Sequence, residues 1–63
     1  MDPNETLKQL AFAVLAEDAE AAVELWKALK NWMARGGFEP AWTAMTRSQF
    51  FREFNPKTGR LDR

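Results

Sequence analysis

The sequence contains no cysteine, no histidine and no tyrosine. Without cysteine no disulfide can staple the chain, and without cysteine and histidine together the common zinc sites are excluded. The same absences remove the groups that most often titrate or attack near neutral pH, leaving carboxylates, lysines and hydroxyls. Glycine and proline number only three each, so each one marks a boundary strongly. No stretch is long and apolar enough to read as a membrane span. The start Met-Asp-Pro-Asn-Glu carries no basic segment with an apolar run behind it. No membrane association and a cytoplasmic location are the resulting expectations.

Charge of one sign is also lacking overall, because nine basic and nine acidic residues cancel. Residues 1–31 hold six acids and three lysines, a balance of −3, and residues 32–63 hold three acids and six basic groups, a balance of +3. Nucleic-acid binders usually show a net basic excess, so this balance argues against strong non-specific DNA affinity and leaves room only for a local patch. What is present is an ordinary globular mixture, 46% apolar and 29% charged, which is too apolar for a disordered chain. A chain of 7.3 kDa is one domain and buries only about 60% of the surface of its unfolded state, leaving roughly 4,200 Å² exposed. With no staple available, well-capped helices or a second subunit must supply the stability.

The chain reads as all-α, a helical hairpin followed by a short third helix. Asp2 is a cap, Pro3 suits the first helical position, and Glu5 completes a capping-box spacing, so helix 1 should run from 3 to about 16. Leu7, Leu10, Ala11, Val14 and Leu15 form its apolar stripe. Glu17 and Asp18 interrupt an alanine-rich run, and Asp18 can cap a second helix from 19 to about 35. One continuous helix over residues 3–35 is the competing reading, and it would be about 50 Å long. A chain this short cannot cover both its ends, so the break is preferred and the long helix fits only an extended oligomer.

Helix 2 ends at Gly36-Gly37, with Gly36 suited to a left-handed cap and Phe38 placed to fold back onto Met33 or Trp32. Residues 36–46 form a connector. Thr46 with Gln49 is a capping box and Met45 with Phe50 a hydrophobic staple, predicting a third helix over 47–54. Asn55-Pro56-Lys57-Thr58-Gly59 is a turn, with glycine at its positive-φ site and a frayed tail behind it. Phe12 and Val23 lie off the main stripes, which suggests second seams packed against the Phe50, Phe51 and Phe54 face.

Chemistry-bearing motifs are few. Glu17, Asp18, Glu20 and Glu24 cluster around the proposed turn and are in principle able to bind a cation or share a proton, but they read more simply as a solvated, dipole-favoured helix start. No calcium loop, phosphate-binding glycine loop or nucleophile elbow is present. No metal, cofactor or catalytic residue is expected. The informative excess is aromatic: Trp26, Trp32 and Trp42 with five phenylalanines, more than a small core hides easily. Trp26 sits near the stripe centre and reads as core, whereas Trp32, Phe38 and Trp42 read as partner-binding positions on a non-catalytic interaction or self-association module. The alternative is a nucleic-acid-binding accessory using Arg47, Gln49, Arg52, Lys57 and Arg60, with Arg35 and Arg63 adding charge. The connector is too long for a helix-turn-helix, and Thr46 and Gln49 are already explained by capping.

Overall fold

The computed structural model of the chain describes residues 1–62. It is mostly helical: α1 (Pro3–Leu15) and α2 (Ala19–Ala34) pack against each other, and a short helical segment leads into a two-stranded ladder. The exposed surface is 4323 Å², close to the mass-based expectation.

Local chemistry sets the helix ends. The Asn4 and Glu5 N–H groups donate to Asp2 Oδ1 at 3.0 and 3.4 Å, satisfying two of the orphan donors of the first turn. Pro3 occupies N1, where it costs no hydrogen bond. The break between helices falls at residues 16–18, so the continuous-helix reading does not hold. Asp18 N–H donates to Ala13 O at 2.9 Å and Glu17 N–H to Val14 O at 3.2 Å, the paired 6→1 and 5→2 bonds of a Schellman motif. Asp18 then caps α2, its carboxylate accepting from Ala21 N–H at 3.2 Å. The same motif closes α2, where Gly37 N–H donates to Trp32 O at 3.0 Å and Gly36 N–H to Met33 O at 3.1 Å.

The two motifs differ at their left-handed residue. Gly36 takes φ 89° at the second, whereas Glu17 takes φ 58° at the first. A side chain with Cβ is disfavoured there by roughly 1–2 kcal/mol, part of which glycine returns through greater freedom of the unfolded chain. Glu17→Gly should therefore raise the unfolding free energy by about 0.5–1 kcal/mol, despite losing an exposed 3.6 Å ion pair with Arg60. Urea titration of dilute protein reads this as a higher midpoint at unchanged slope; a lower midpoint would mean that the ion pair outweighs the backbone strain.

The buried face of α1 is rotated from the one expected. Leu7 and Leu10 are buried as predicted, but Pro3 and Ala13 join them, and Leu15 is 80% exposed. Ala11 and Val14 are half-buried at the edge. Phe12 is 62% exposed and forms no seam with Phe50, Phe51 and Phe54. The third segment meets α2 at Trp26, whose ring centroid lies 5.7 Å from Phe50 and 5.2 Å from Phe54, and meets α1 beside Ala11, Val14 and Leu15 through Met45, Gln49 and Leu61, leaving Phe12 outside both contacts. Val23, on the α2 side, is packed against the core. Ala22, Leu29, Met45, Phe50 and Phe54 complete that core.

The third helix is shorter and wider than predicted. Its capping box forms reciprocally, Gln49 N–H donating to Thr46 Oγ1 at 3.1 Å and Thr46 N–H to Gln49 Oε1 at 2.9 Å. Both staple residues, Met45 and Phe50, are buried. After Arg47 and Ser48 the backbone widens into a π-helix over Gln49–Glu53 and ends as Phe54 turns extended. Residues 60–62 do not fray. β1 (Phe54–Asn55) pairs antiparallel with β2 (Arg60–Leu61), Phe54 opposite Leu61 and Asn55 opposite Arg60. Asp62 N–H also donates to Glu53 O at 2.6 Å. Asn55 accepts from Lys57 N–H at 2.9 Å through its side chain and from Gly59 N–H at 2.8 Å through its carbonyl, which closes the turn. Arg63 lies outside the described residues.

Candidate functional site

The aromatic positions singled out from the sequence fall into two groups. Trp32 and Phe38 meet edge to face, centroids 5.8 Å apart, and Trp32 Nε1–H donates to Phe38 O at 3.0 Å. Gly37 makes this possible, because a Cβ there would run into the Trp32 indole. Phe38 itself is 63% exposed. Trp42 belongs elsewhere: its ring lies 5.6 Å from Phe50 and 6.2 Å from Phe51, inside the aromatic chain that begins at Trp26. All three indoles are half-buried. Trp26 and Trp32 have satisfied N–H groups, whereas Trp42 Nε1 is buried without a partner among the described residues.

The basic positions are likewise divided. Arg47, Ser48, Phe51 and Arg52 line one open cavity of about 320 Å³, with Arg47 over the Phe51 ring at 5.2 Å and Phe51 45% exposed. Arg47 also faces Glu39 at 3.4 Å. Gln49 is half-buried and engaged in the capping box, Lys57 sits in the hairpin turn, and Arg60 is drawn to Glu17. The carboxylates near the interhelical turn are similarly engaged, Asp18 with Ala21 N–H and Glu17 with Arg60.

A further surface, not expected from the sequence, lies on the outside of α1. Lys8, Ala11, Phe12 and Leu15 follow the i, i+3, i+4, i+7 spacing of one helix face, and with Ala44 they line a cavity of about 230 Å³. A second cavity of about 180 Å³ adjoins it, sharing Ala11, Leu15 and Ala44 and floored by Val14, Met45, Gln49 and Leu61. The signal was in the sequence, since Phe12 does not fit the stripe through Leu7 and Leu10. An aromatic off that stripe marks a second face, and in this fold the face is an outer one.

Protein-family models, characterised proteins and solved structures offer no match to this chain. No helix among the described residues is long and apolar enough to cross a membrane.

Proposed function

We propose that this protein is a small non-catalytic interaction module whose contact surface is the outer face of α1. The observation that carries the reading is the side-by-side exposure of Phe12 and Leu15 next to a shallow apolar groove. Large apolar side chains exposed on one turn of helix, with small residues between them, are the geometry by which a helix and a groove recognise each other. Trp32, Phe38 and Trp42 have a lesser part in this reading. The indole rings of Trp32 and Trp42 are held by neighbouring aromatics, and only Phe38 offers an open ring.

The double variant Phe12→Gln/Leu15→Gln tests it. Both side chains are exposed, so the variant should fold with unchanged circular dichroism. Immobilised chain should retain binding species that the double variant releases. Identical retention by the two would end the proposal. The nucleic-acid reading draws its support from Phe51, an exposed ring flanked by Arg47 and Arg52 on which a base could stack. Titrating the same preparation with single-stranded oligonucleotide at low salt separates the readings, since binding that survives the α1 variant but weakens with added salt would favour the second.

A further inference from the structure

We infer that Arg47, Ser48, Phe51 and Arg52 form a second binding site, for a nucleotide unit in which a flat base carries a phosphate, and that Glu39 is its built-in competitor. This rests on the nucleic-acid reading and is independent of the α1 face. Two kinds of chemistry meet in one cavity. Arg47 and Arg52 bring guanidinium groups and Ser48 a hydroxyl, donors of the kind that hold phosphate. Phe51 brings an open ring, on which a base stacks. A ligand with both a flat face and a negative charge uses all of them. The wide turn assembles the site. In an α-helix, residues five apart lie about 140° apart round the axis, so Arg47 and Arg52 would diverge. The i→i+5 repeat of the π-helix over Gln49–Glu53 draws such positions back toward one side, and both arginines line the same cavity. Phe51 is braced from within, since Phe50 meets it edge to face at 4.9 Å and Trp42 lies 6.2 Å away.

The chain itself already imitates such a ligand. Arg47 lies over the Phe51 ring, its guanidinium carbon 5.2 Å from the centroid, and its Nε faces Glu39 Oε1 at 3.4 Å. Arg47 thus covers the ring that a base would use, and Glu39 supplies the negative charge that a phosphate would bring. The cover is easily displaced. Both side chains of the ion pair are more than half exposed, a setting in which such pairs contribute little. Arg52 meets no carboxylate among the described residues. A phosphate can accept from both arginines at once, which Glu39, facing Arg47, does not do. The ligand therefore takes the place of Glu39, and Arg47 moves off the ring as the base comes onto it.

Fluorescence anisotropy of a labelled oligothymidylate of about twelve nucleotides, at about 20 mM salt and with protein up to about 1 mM, reads the site. Dissociation is expected at about 10–300 µM, and log affinity should fall against log salt with a slope of about −1.4, the value for two phosphates on a single strand. Phe51→Leu keeps an apolar side chain without a flat face and should weaken binding at least about fivefold. Arg52→Gln, at an exposed position, should weaken it about three- to tenfold and tests the site even where Phe51→Leu disturbs packing on Phe50. Glu39→Gln should strengthen it about two- to fivefold, because the competitor is gone. Phe12→Gln/Leu15→Gln should leave it unchanged, so the fate of this site and that of the α1 face are read separately. Inorganic polyphosphate, which has charge but no base, should compete at least about tenfold less well than unlabelled oligothymidylate. Thymidine 5′-monophosphate that competes as well as the strand identifies a free nucleotide as the ligand; a strand that competes better identifies a single-stranded nucleic acid. No anisotropy change overturns the inference, and so does equal competition by polyphosphate or binding indifferent to Arg52→Gln or to folded Phe51→Leu. A salt slope steeper than about −3 also overturns it, since that marks diffuse contact with the other basic residues. A Glu39→Gln variant that binds no better overturns the competitor.

Discussion

Gly59→Ala should cost this protein a large share of its stability, about 2–5 kcal/mol. Two separate effects add. Gly59 sits at φ 69° in the hairpin turn, a conformation that disfavours any Cβ. An ideal Cβ would also lie 2.6 Å from Ala19 Cα and 2.7 Å from Ala19 O. The obstacle is the backbone of the first turn of α2, not the tip of a flexible side chain, so it cannot simply swing away. At about 0.05–0.15 kcal/mol per residue, a domain of this size has only about 3–9 kcal/mol in total. Each kcal/mol shifts the midpoint of a small domain by about 4–8 °C, so thermal unfolding should begin tens of degrees lower. Gly36→Ala is the matching control. That residue has φ 89° but open space around it, so the substitution should show the strain alone, about 1–2 kcal/mol. Equal losses at the two glycines would mean that the hairpin does not bear on α2.

The second large effect is expected at Trp26, and it separates two tryptophans that composition cannot tell apart. Trp26 Nε1–H donates to Phe50 O at 2.8 Å, and its ring lies against both Phe50 and Phe54 with Lys30 Nζ 4.7 Å above it. Phe50 O belongs to the short helical segment, where carbonyls near the C-terminal end lack an internal donor. Trp26→Ala should cost about 3–5 kcal/mol through lost packing and the cavity left behind. Trp26→Phe should still cost about 2–3 kcal/mol, because it leaves the Phe50 carbonyl short of its donor. Trp42→Phe should behave differently. It deletes a buried N–H that has no partner among the described residues, and that relief, about 1–3 kcal/mol, offsets the smaller ring, for a net change within about 1 kcal/mol. Urea unfolding of the two Phe variants side by side measures the contrast. Losses of the same size would remove the distinction between a satisfied and an orphaned indole.

These contrasts show which parts of the molecule were legible beforehand. The caps at Asp2, Asp18 and Thr46, the stop at Gly36 and the fold-back of Phe38 onto Trp32 all involve residues within a few positions of one another. Each is local hydrogen-bond or contact chemistry, so its spacing in the chain carries nearly all the information. The π-helix and the ladder of Phe54–Asn55 with Arg60–Leu61 are different. Strands of two residues have no alternation to read, and this pair is held in part by Gly59 resting on Ala19, forty positions away in the chain. Phe12 is the most instructive case. The helix wheel puts it off the stripe through Leu7 and Leu10, but the wheel does not say whether a second seam faces inward or outward. That depends on where the third segment lands: it reaches Trp26 on α2 and Ala11, Val14 and Leu15 on α1, and leaves Phe12 outside both contacts.

The candidate surface follows the same division. The aromatic excess announced that some rings would be left over, because so small a core has room for few of them. Which rings were left over was a matter of competition for the same interior. Trp26, Phe50 and Phe54 won it through mutual stacking and one hydrogen bond, and Phe12 and Leu15 were left facing out. The sequence by itself determined where each main helix begins and ends, since capping is settled by neighbours along the chain. Only the tertiary structure decided which helix faces are covered and which stay open, because burial is shared among segments that meet only when the chain has folded.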